Sequence, residues 1–507
     1  MSSTRAGNAA RDVDHRARGS GGAVVIRVGD CLETLRTLAD CSVDAVVTDP
    51  PYGLGKEPDP RDVLRAWLDG EEFQPGGAGF MGRAWDAFVP SPLVWAECLR
   101  VLKPGGHLVA FAGSRTYDWI ALGVRLAGFE IRDQLFYMYG SGFPKSHNIA
   151  NGAKSMCAGI IGAPNMRPEL LAECDALGEG KGTALKPAHE PIVLARKPLS
   201  GTVAANVLEH GTGAINVDGC RVGFSTPADE SESKGKNRHG DFGSAAPVRV
   251  AFGADDRAGR NYDPPGRWPA NILHDGSPEV LAVFPETGAA KAGDRGAGMR
   301  GAVYGHSDQA FNNVSGVSDA GGSAARFFYC AKASRAEREL GLADFAPATV
   351  GDGRKKSIDN AYQRGQTERR NVHPTVKPVA VMRWLVRLVG GKRGSVILDP
   401  YSGSGTTGIA AALEGFEFIG CELSPEYAEI ARARIAHARK FPAMWEPDYQ
   451  APEETPREQL DLFGELYAEP EDQRIAAGAS GSQKPSDAHR RQAGAAPGSN
   501  HENPAGE

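Results

Sequence analysis

The sequence predicts an α/β protein built on a parallel, doubly wound sheet with helices on both faces. Short apolar runs rich in β-branched residues alternate with segments of helical spacing near both ends of the chain. Between about residues 200 and 371 that alternation gives way to glycine, serine and charge. The 507 residues contain 64 Gly and 34 Pro and are 41% hydrophobic, so a sizeable core fits only part of the chain.

Residues 1–21 are polar and arginine-bearing and read as a flexible arm. Residues 23–28 form a short β-type run ending at Gly29-Asp30, and 31–38 have helical spacing. Residues 43–48 are a second apolar strand running straight into Asp49. Residues 53–90 read as loop. A helix follows over 93–102, stopped by Lys103-Pro104-Gly105-Gly106. Strands are expected over 107–112, 129–139 and 190–195, with a helix over 117–127. In the central stretch, 268–273 and 326–331 suggest a small ordered module among mobile loops. Regular structure returns as helices over 377–389, 406–413 and 425–438 and strands over 396–398 and 416–421. Residues 22–200 and 371–440 thus make two halves of one sheet domain around a central region, 201–370. Residues 450–507, acidic and then small and polar, read as a disordered tail.

The net charge of −6 confines any nucleic-acid-binding face to a local patch. No two of the eight cysteines are separated by only two residues, which argues against a zinc ribbon or redox pair. No metal is expected. The first twenty residues lack the apolar stretch of a secretory signal. No run approaches the ~20 apolar residues of a membrane span. A cytoplasmic protein is expected.

Two strand-to-loop turns carry the chemistry. The first is Asp49-Pro50-Pro51-Tyr52. An exocyclic amino group on adenine or cytosine is a poor nucleophile, because its lone pair is delocalised into the ring. Two acceptors aimed at its hydrogens favour a pyramidal nitrogen. Asp49 supplies one, and a backbone carbonyl the other, since proline offers no N–H. Pro50 and Pro51 preorganise both, and Tyr52 offers a stacking face. Such a site requires the base to leave the duplex. As structure alone, the same residues are a stiff strand exit with a buried tyrosine.

The second turn, Asp399-Pro400-Tyr401-Ser402-Gly403-Ser404-Gly405, continues as Gly403-Ser404-Gly405-Thr406-Thr407-Gly408 and so matches the G-x-G-x-x-G of dinucleotide enzymes. A dehydrogenase is the rival reading, and it leaves Asp49 to Tyr52 without a job. Glycines let backbone approach a ligand, and Glu422 at the next strand end can bind two ribose hydroxyls. Asp30 is either an acceptor for a cofactor adenine or the N-cap of the helix that follows. In His373-Pro374-Thr375-Val376-Lys377-Pro378, Thr375 is placed to cap a helix and Pro378 to sit in its first turn. The functional alternative puts this loop, with Thr375 and Lys377, at the methionine end of a cofactor.

Together these residues resemble the amino-methyltransferases of DNA, which make N6-methyladenine or N4-methylcytosine. Thr48 to Gly53 is similar to their catalytic motif. Asp399 to Gly405 is similar to their S-adenosylmethionine motif, with Tyr401 where Phe is usual, and His373 to Pro378 resembles the segment before it. Asp30 and Glu422 match the cofactor-adenine and ribose contacts, and His189 to Leu194 a late strand of the catalytic half. The catalytic motif precedes the cofactor motif, the family's β order. The resemblance covers residues 22–200 and 371–440. It implies a seven-stranded, mostly parallel sheet with one antiparallel edge strand, S-adenosylmethionine as cofactor, and double-stranded DNA as partner, read by the central region. Asp at the first motif position favours adenine, with N4-cytosine the alternative. A protein-glutamine methyltransferase usually has Asn at that position and the opposite order. A non-catalytic DNA-binding module would need both turns to be only structural.

For DNA contacts the candidates are Arg267 and Asn271, with side chains suited to guanine and adenine, and the basic run containing Arg354, Lys355 and Lys356, suited to phosphates. Trp268 between them is expected in a core. In the tail, Gln459-Leu460-Asp461-Leu462-Phe463 resembles the pentapeptide by which bacterial proteins dock on the replication sliding clamp. Leu460, Leu462 and Phe463 would fill an apolar pocket, with Gln459 capping it.

Overall fold

A computed structural model describes residues 23–76, 84–142, 180–224, 266–287, 322–331, 336–350 and 367–446, plus a few isolated positions between them. Residues 1–21, the tail with Gln459 to Phe463, and the run at Arg354, Lys355 and Lys356 lie outside the described residues.

The strands are β1 (Val24–Val28), β2 (Val43–Thr48), β3 (Leu102–Phe111), β4 (Glu130–Met138), β5 (His189–Arg196), β6 (Ile272–His274), β7 (Glu286–Thr287), β8 (Gly322–Ser323), β9 (Tyr329–Cys330), β10 (Ala348–Val350), β11 (Thr367–Arg369), β12 (Val396–Asp399) and β13 (Glu417–Glu422). Nine of them make one sheet in the order β1-β13-β12-β2-β3-β5-β4-β6-β9. Every pairing in it is parallel except the two made by β5. The antiparallel strand therefore lies inside the sheet, not at its edge. The count also exceeds seven, because β6 and β9 from the central region add to the outer side of β4. Those two apolar stretches, expected as a separate module, are the sheet's own extension. β7 with β8, and β10 with β11, form small antiparallel pairs.

The helices are α1 (Cys31–Arg36), α2 (Pro60–Leu68), α3 (Pro92–Val101), α4 (Tyr117–Leu126), α5 (Val203–His210), α6 (Pro278–Leu281), α7 (Val379–Val389), α8 (Thr406–Glu414) and α9 (Pro425–Lys440). The period-2 alternation of each strand separates the core into two layers. Val46 of β2, and Val43 before the irregularity that separates it from Ala45, face a cluster with Trp95 of α3 and Ile120 of α4. Ala45 and Val47 of the same strand face Leu385 of α7, Ile409 of α8 and Ile435 of α9. Helix α2 sits in the stretch expected to be loop. Asp59 caps it by accepting from the Arg61 N–H, Pro60 opens it, and Val63 and Trp67 are its buried face.

Candidate functional site

β2 and β12 are hydrogen-bonded neighbours, Leu398 opposite Val46, so their C-terminal ends deliver Asp49 and Asp399 side by side. The chain order reverses here, and ligands of open α/β sheets bind outside the carboxyl ends of strands at such a point. The buried Thr48 hydroxyl donates to Asp399 Oδ1 at 2.6 Å, bridging 351 residues of sequence. A cavity of about 1600 Å³ opens above these ends. A single small-molecule site usually needs ~300–1000 Å³, so there is room for two ligands. Asp30, Asp49 to Tyr52, Thr375, Lys377, Asp399, Tyr401, Gly403 and Glu422 all line it; Gly405 does not.

On the β2 side, buried Asp86 clamps the turn, its Oδ1 accepting from the N–H of Tyr52 at 2.8 Å and of Gly53 at 3.0 Å. Thr116 donates to the Tyr52 carbonyl at 2.6 Å. Gly53 has φ +64, and a Cβ there would come within 2.9 Å of the Val89 nitrogen, so only glycine fits. Asp49 Oδ2 accepts from Lys377 Nζ at 2.7 Å, whereas Asp49 Oδ1 is buried and has no hydrogen-bond partner. The Tyr52 hydroxyl is likewise buried and faces Asp49 and Glu190 without a well-formed hydrogen bond to either. Burial first, then Asp49 and Glu190, raise that hydroxyl well above its ordinary pKa.

On the β12 side, Asp399 accepts three hydrogen bonds. Oδ1 accepts from Thr48 and from the Tyr401 N–H at 3.0 Å, and Oδ2 from Thr407 Oγ1 at 2.5 Å. Burial raises its carboxyl to about 6 even though the three donors oppose the shift. Asp399 therefore holds the turn together while also lining the cavity. Glu422 accepts from the Gly403 N–H and the Ser424 N–H, both at 2.8 Å, one on each oxygen, which orients the carboxylate and leaves further lone pairs. Gly403 has φ +52, and a Cβ would lie 2.9 Å from His373 Nε2. At Gly405, φ +80, it would meet Ala431 of α9 at 2.8 Å, so this glycine serves helix packing and not ligand approach. Tyr401 is half-buried against the core cluster that holds Trp95 and Ile120, and its hydroxyl meets the Cys31 thiol. Asp30 caps α1 by accepting from Glu33 N–H at 3.0 Å through Oδ1.

The loop before α7 departs from expectation. Thr375 is exposed and caps nothing; Pro378 is the N-cap, and the Thr375 carbonyl accepts from His373 Nδ1 at 2.5 Å. Burial pulls His373 down to about 4, so the ring is neutral at neutral pH. Lys377 turns to Asp49 rather than to the glycine turn, with Glu190 Oε2 at 3.4 Å on its other side. In the sequence Glu190 stands out only as part of a strand. No local signal marks its role, because it is set by Lys377 and Asp49 from distant parts of the chain.

Of the DNA candidates, the two described residues, Arg267 and Asn271, do not line the cavity. Arg267 and Asn271 precede β6, at the end opposite the one where Asp275 lines the cavity. Arg267 is bound to buried Asp229 through both guanidinium nitrogens and lies over Phe224 and Phe327. A guanidinium so engaged has no free fork for a base. Asn271 donates at 3.3 Å to Asp133 and to the Gln134 carbonyl. Trp268, expected in a core, is 68% exposed beneath the Arg221 guanidinium.

Ser402 Oγ, buried without a partner, together with oriented Glu422, Asp30 and the open Gly403 turn, forms a donor and acceptor set suited to a nucleoside bearing a ribose diol. Among the described residues no group of His, Cys, Asp and Glu could hold a metal ion, and no helix is long and apolar enough to cross a membrane.

A Rossmann-like site whose second pocket ends in an acidic, proline-rigid turn defines a class in which cofactor and flat substrate meet at one strand pair. The DNA methylase family model, for N6 and N4 enzymes, matches residues 43–433, and the chain belongs to that family. Membership displaces the dinucleotide reading of the glycines. The chain is 46% identical over 63 residues to the type II methyltransferase M2.DpnII of Streptococcus pneumoniae, spanning 12% of this chain and 23% of that one. It is 38% identical over 71 residues to the DNA adenine methyltransferase YhdJ of Escherichia coli strain K12, spanning 14% and 24%. The matches therefore span about a quarter of these curated relatives. Among solved structures, the cytosine-N4-specific PvuII DNA methyltransferase aligns over 88% of this chain and 95% of that chain, at 12% identity and a TM-score of 0.36.

Proposed function

We propose that this protein transfers a methyl group from S-adenosylmethionine to the exocyclic N6 amino nitrogen of adenine in double-stranded DNA, at a specific sequence. The observation that carries this reading is Asp49: one carboxylate oxygen is pinned by Lys377, the other is a buried acceptor with no partner, at the wall of a cavity large enough for cofactor and base. An amino group donating to Oδ1 satisfies that acceptor. Leaving it unpaired costs ~1–3 kcal/mol. Tyr52 offers a face on which an extruded base stacks, worth roughly 1–3 kcal/mol.

S-adenosylmethionine supplies an electrophilic methyl group on sulfur when bound. Glu422 and Asp30 would hold its ribose and adenine, and Ser402 and Gly403 the backbone side of the turn. The chain's residues then act by positioning: Asp49 draws on the amino hydrogens, the two prolines fix the turn, and the Asp86 clamp keeps Tyr52 in place. Adenine is favoured over cytosine by Asp at the first motif position, and the Escherichia coli relative is an adenine methyltransferase by name. An enzyme acting on DNA in this way would work in the cytoplasm. The peptide Gln459 to Phe463 keeps, on sequence grounds alone, its reading as a sliding-clamp ligand. A clamp pull-down unchanged by Leu462→Ala plus Phe463→Ala would remove it.

Methylation-sensitive sequencing of DNA from cells expressing the chain tests the function. Methyladenine at one sequence context, absent with Asp49→Ala, is expected. N4-methylcytosine would move the substrate to the alternative base, and no new methylation would overturn the reading.

A further inference from the structure

The sequence puts Lys377 beside the cofactor; the structure puts it between two carboxylates. Its Nζ lies 2.7 Å from Asp49 Oδ2 and 3.4 Å from Glu190 Oε2, with the rings of Tyr52 and Phe111 at 5.1 and 4.9 Å. The side chain is only 10% exposed. Burial alone would pull the ammonium down, yet Asp49 and Glu190 outweigh it and hold it above its ordinary pKa. An ammonium has three donors and no acceptor. By occupying Oδ2 it dictates which oxygen of Asp49 is left for a ligand.

We propose that Lys377 is the positioning residue of the reaction: it bridges Asp49 and Glu190 so that Asp49 stays an ionised acceptor, and the bridged cluster takes up the proton that the amino nitrogen loses. The idea rests on the methyl-transfer reading. A protonated Asp49 would present an O–H to the amino lone pair and block attack. With Lys377 charged, the three groups carry one net negative charge. As methylation proceeds, an N–H bond breaks with its electron pair staying on nitrogen, and the proton passes to Asp49 Oδ1. The cluster then becomes neutral and returns the proton to solvent after product leaves. Without the ammonium, half-buried Glu190, whose carboxyl burial already raises and Lys377 opposes, faces Asp49 with no cation between the two like charges.

The other titratable groups facing the cluster are Tyr52, Tyr139, Tyr137, His373 and Asp399. Burial raises the tyrosines, Tyr139 to about 12, and lowers His373 to about 4. Asp399, at about 6, titrates in the working range but is common to wild type and variants.

The test compares full-length Lys377→Met, Lys377→Arg and Glu190→Gln with wild type. Three quantities are read: S-adenosylmethionine affinity by calorimetry, single-turnover methyl transfer to unmethylated genomic DNA against pH, and the pH titration of the Asp49 carboxyl carbon-13 signal, assigned with Asp49→Asn. Lys377→Met is expected to keep cofactor affinity within about twofold and lose ~100-fold in rate at saturating cofactor. Its acidic limb and the Asp49 signal should both move up by ~1 pH unit or more. Lys377→Arg should hold the limb in place and recover to within about tenfold, and Glu190→Gln should shift the limb less than Lys377→Met. Cofactor affinity weakened ~10-fold in Lys377→Met, with the rate restored at saturation, would overturn the proposal in favour of a cofactor contact. So would an Asp49 signal that titrates alike in wild type and Lys377→Met. Wild-type protein that methylates no DNA would overturn the function itself, while the carbon-13 titration still decides whether Lys377 governs Asp49.

Discussion

Thr48→Val tests whether the two turns form one unit. The substitution keeps the shape and β-propensity of a fully buried strand residue but removes the hydroxyl that donates to Asp399 Oδ1. A hydrogen bond to a charged acceptor contributes ~1.5–3 kcal/mol, and one to a neutral acceptor ~0.5–1.5. Asp399 spans both cases, because burial raises its carboxyl from 3.8 to about 6. The shift sets the sign. A carboxyl raised in the fold binds more protons there than in the unfolded chain. Its stabilising effect is full below 3.8 and is lost as pH rises through about 6, a swing of roughly 3 kcal/mol. The Thr48 donor opposes that loss by favouring the ionised form. A double-mutant cycle of Thr48→Val and Asp399→Asn, read by chemical denaturation, should therefore give a coupling of ~1.5–3 kcal/mol near pH 8 and ~1 or less near pH 4. A coupling under ~0.5 kcal/mol near pH 8, or one that is the same at both pH values, would refute the bridge.

Gly403→Ala should weaken S-adenosylmethionine binding ~10-fold, seen by calorimetry. A left-handed residue with a Cβ costs ~1–2 kcal/mol, and His373, tethered by Nδ1 to the Thr375 carbonyl, would have to move. Glu422→Gln should weaken the same binding by ~1–3 kcal/mol, since the amide nitrogen must face one of the two N–H groups the carboxylate now accepts from. Arg267→Met should lower folding stability by ~2–4 kcal/mol in urea. Breaking a buried pair costs ~3–5, and Arg326 at 3.7 Å still faces Asp229. The same variant should leave the salt dependence of DNA binding unchanged, where loss of a phosphate contact would reduce the slope by ~1.

The legible parts of the fold are those whose pattern is local. Strand β2 matches its expected bounds residue for residue, because six consecutive buried positions flanked by turn residues leave little choice. Helix α2 was also signalled, by Asp59 as cap and Pro60 behind it, but a surround of glycine and proline hid two buried side chains in nine residues. β6 and β9, three and two residues long, have no period to detect; they exist as strands only because β4 offers them an edge. Site residues divide in the same way. Asp49, Tyr52, Gly403 and Glu422 sit in turns whose composition announces them. The partners of Lys377 and Arg267 are not legible in the sequence, because they come from elsewhere in the chain, Asp49 at 328 residues' distance and Asp229 at 38.

The insertion between the two motifs is therefore not simply a detachable DNA reader. β6 runs parallel to β4, so its C-terminal end emerges at the cavity, where Asp275 Oδ2 accepts from the Gly140 N–H at 3.0 Å. Leu273 of β6 is fully buried in the same cluster as Tyr137 and Ile192. Removing these strands would expose that cluster and release the Gly140 turn at the cavity wall. Substitutions in β6 should lower stability and methyl transfer together. A change of target sequence is instead expected from residues that reach the cavity mouth without contributing to the sheet.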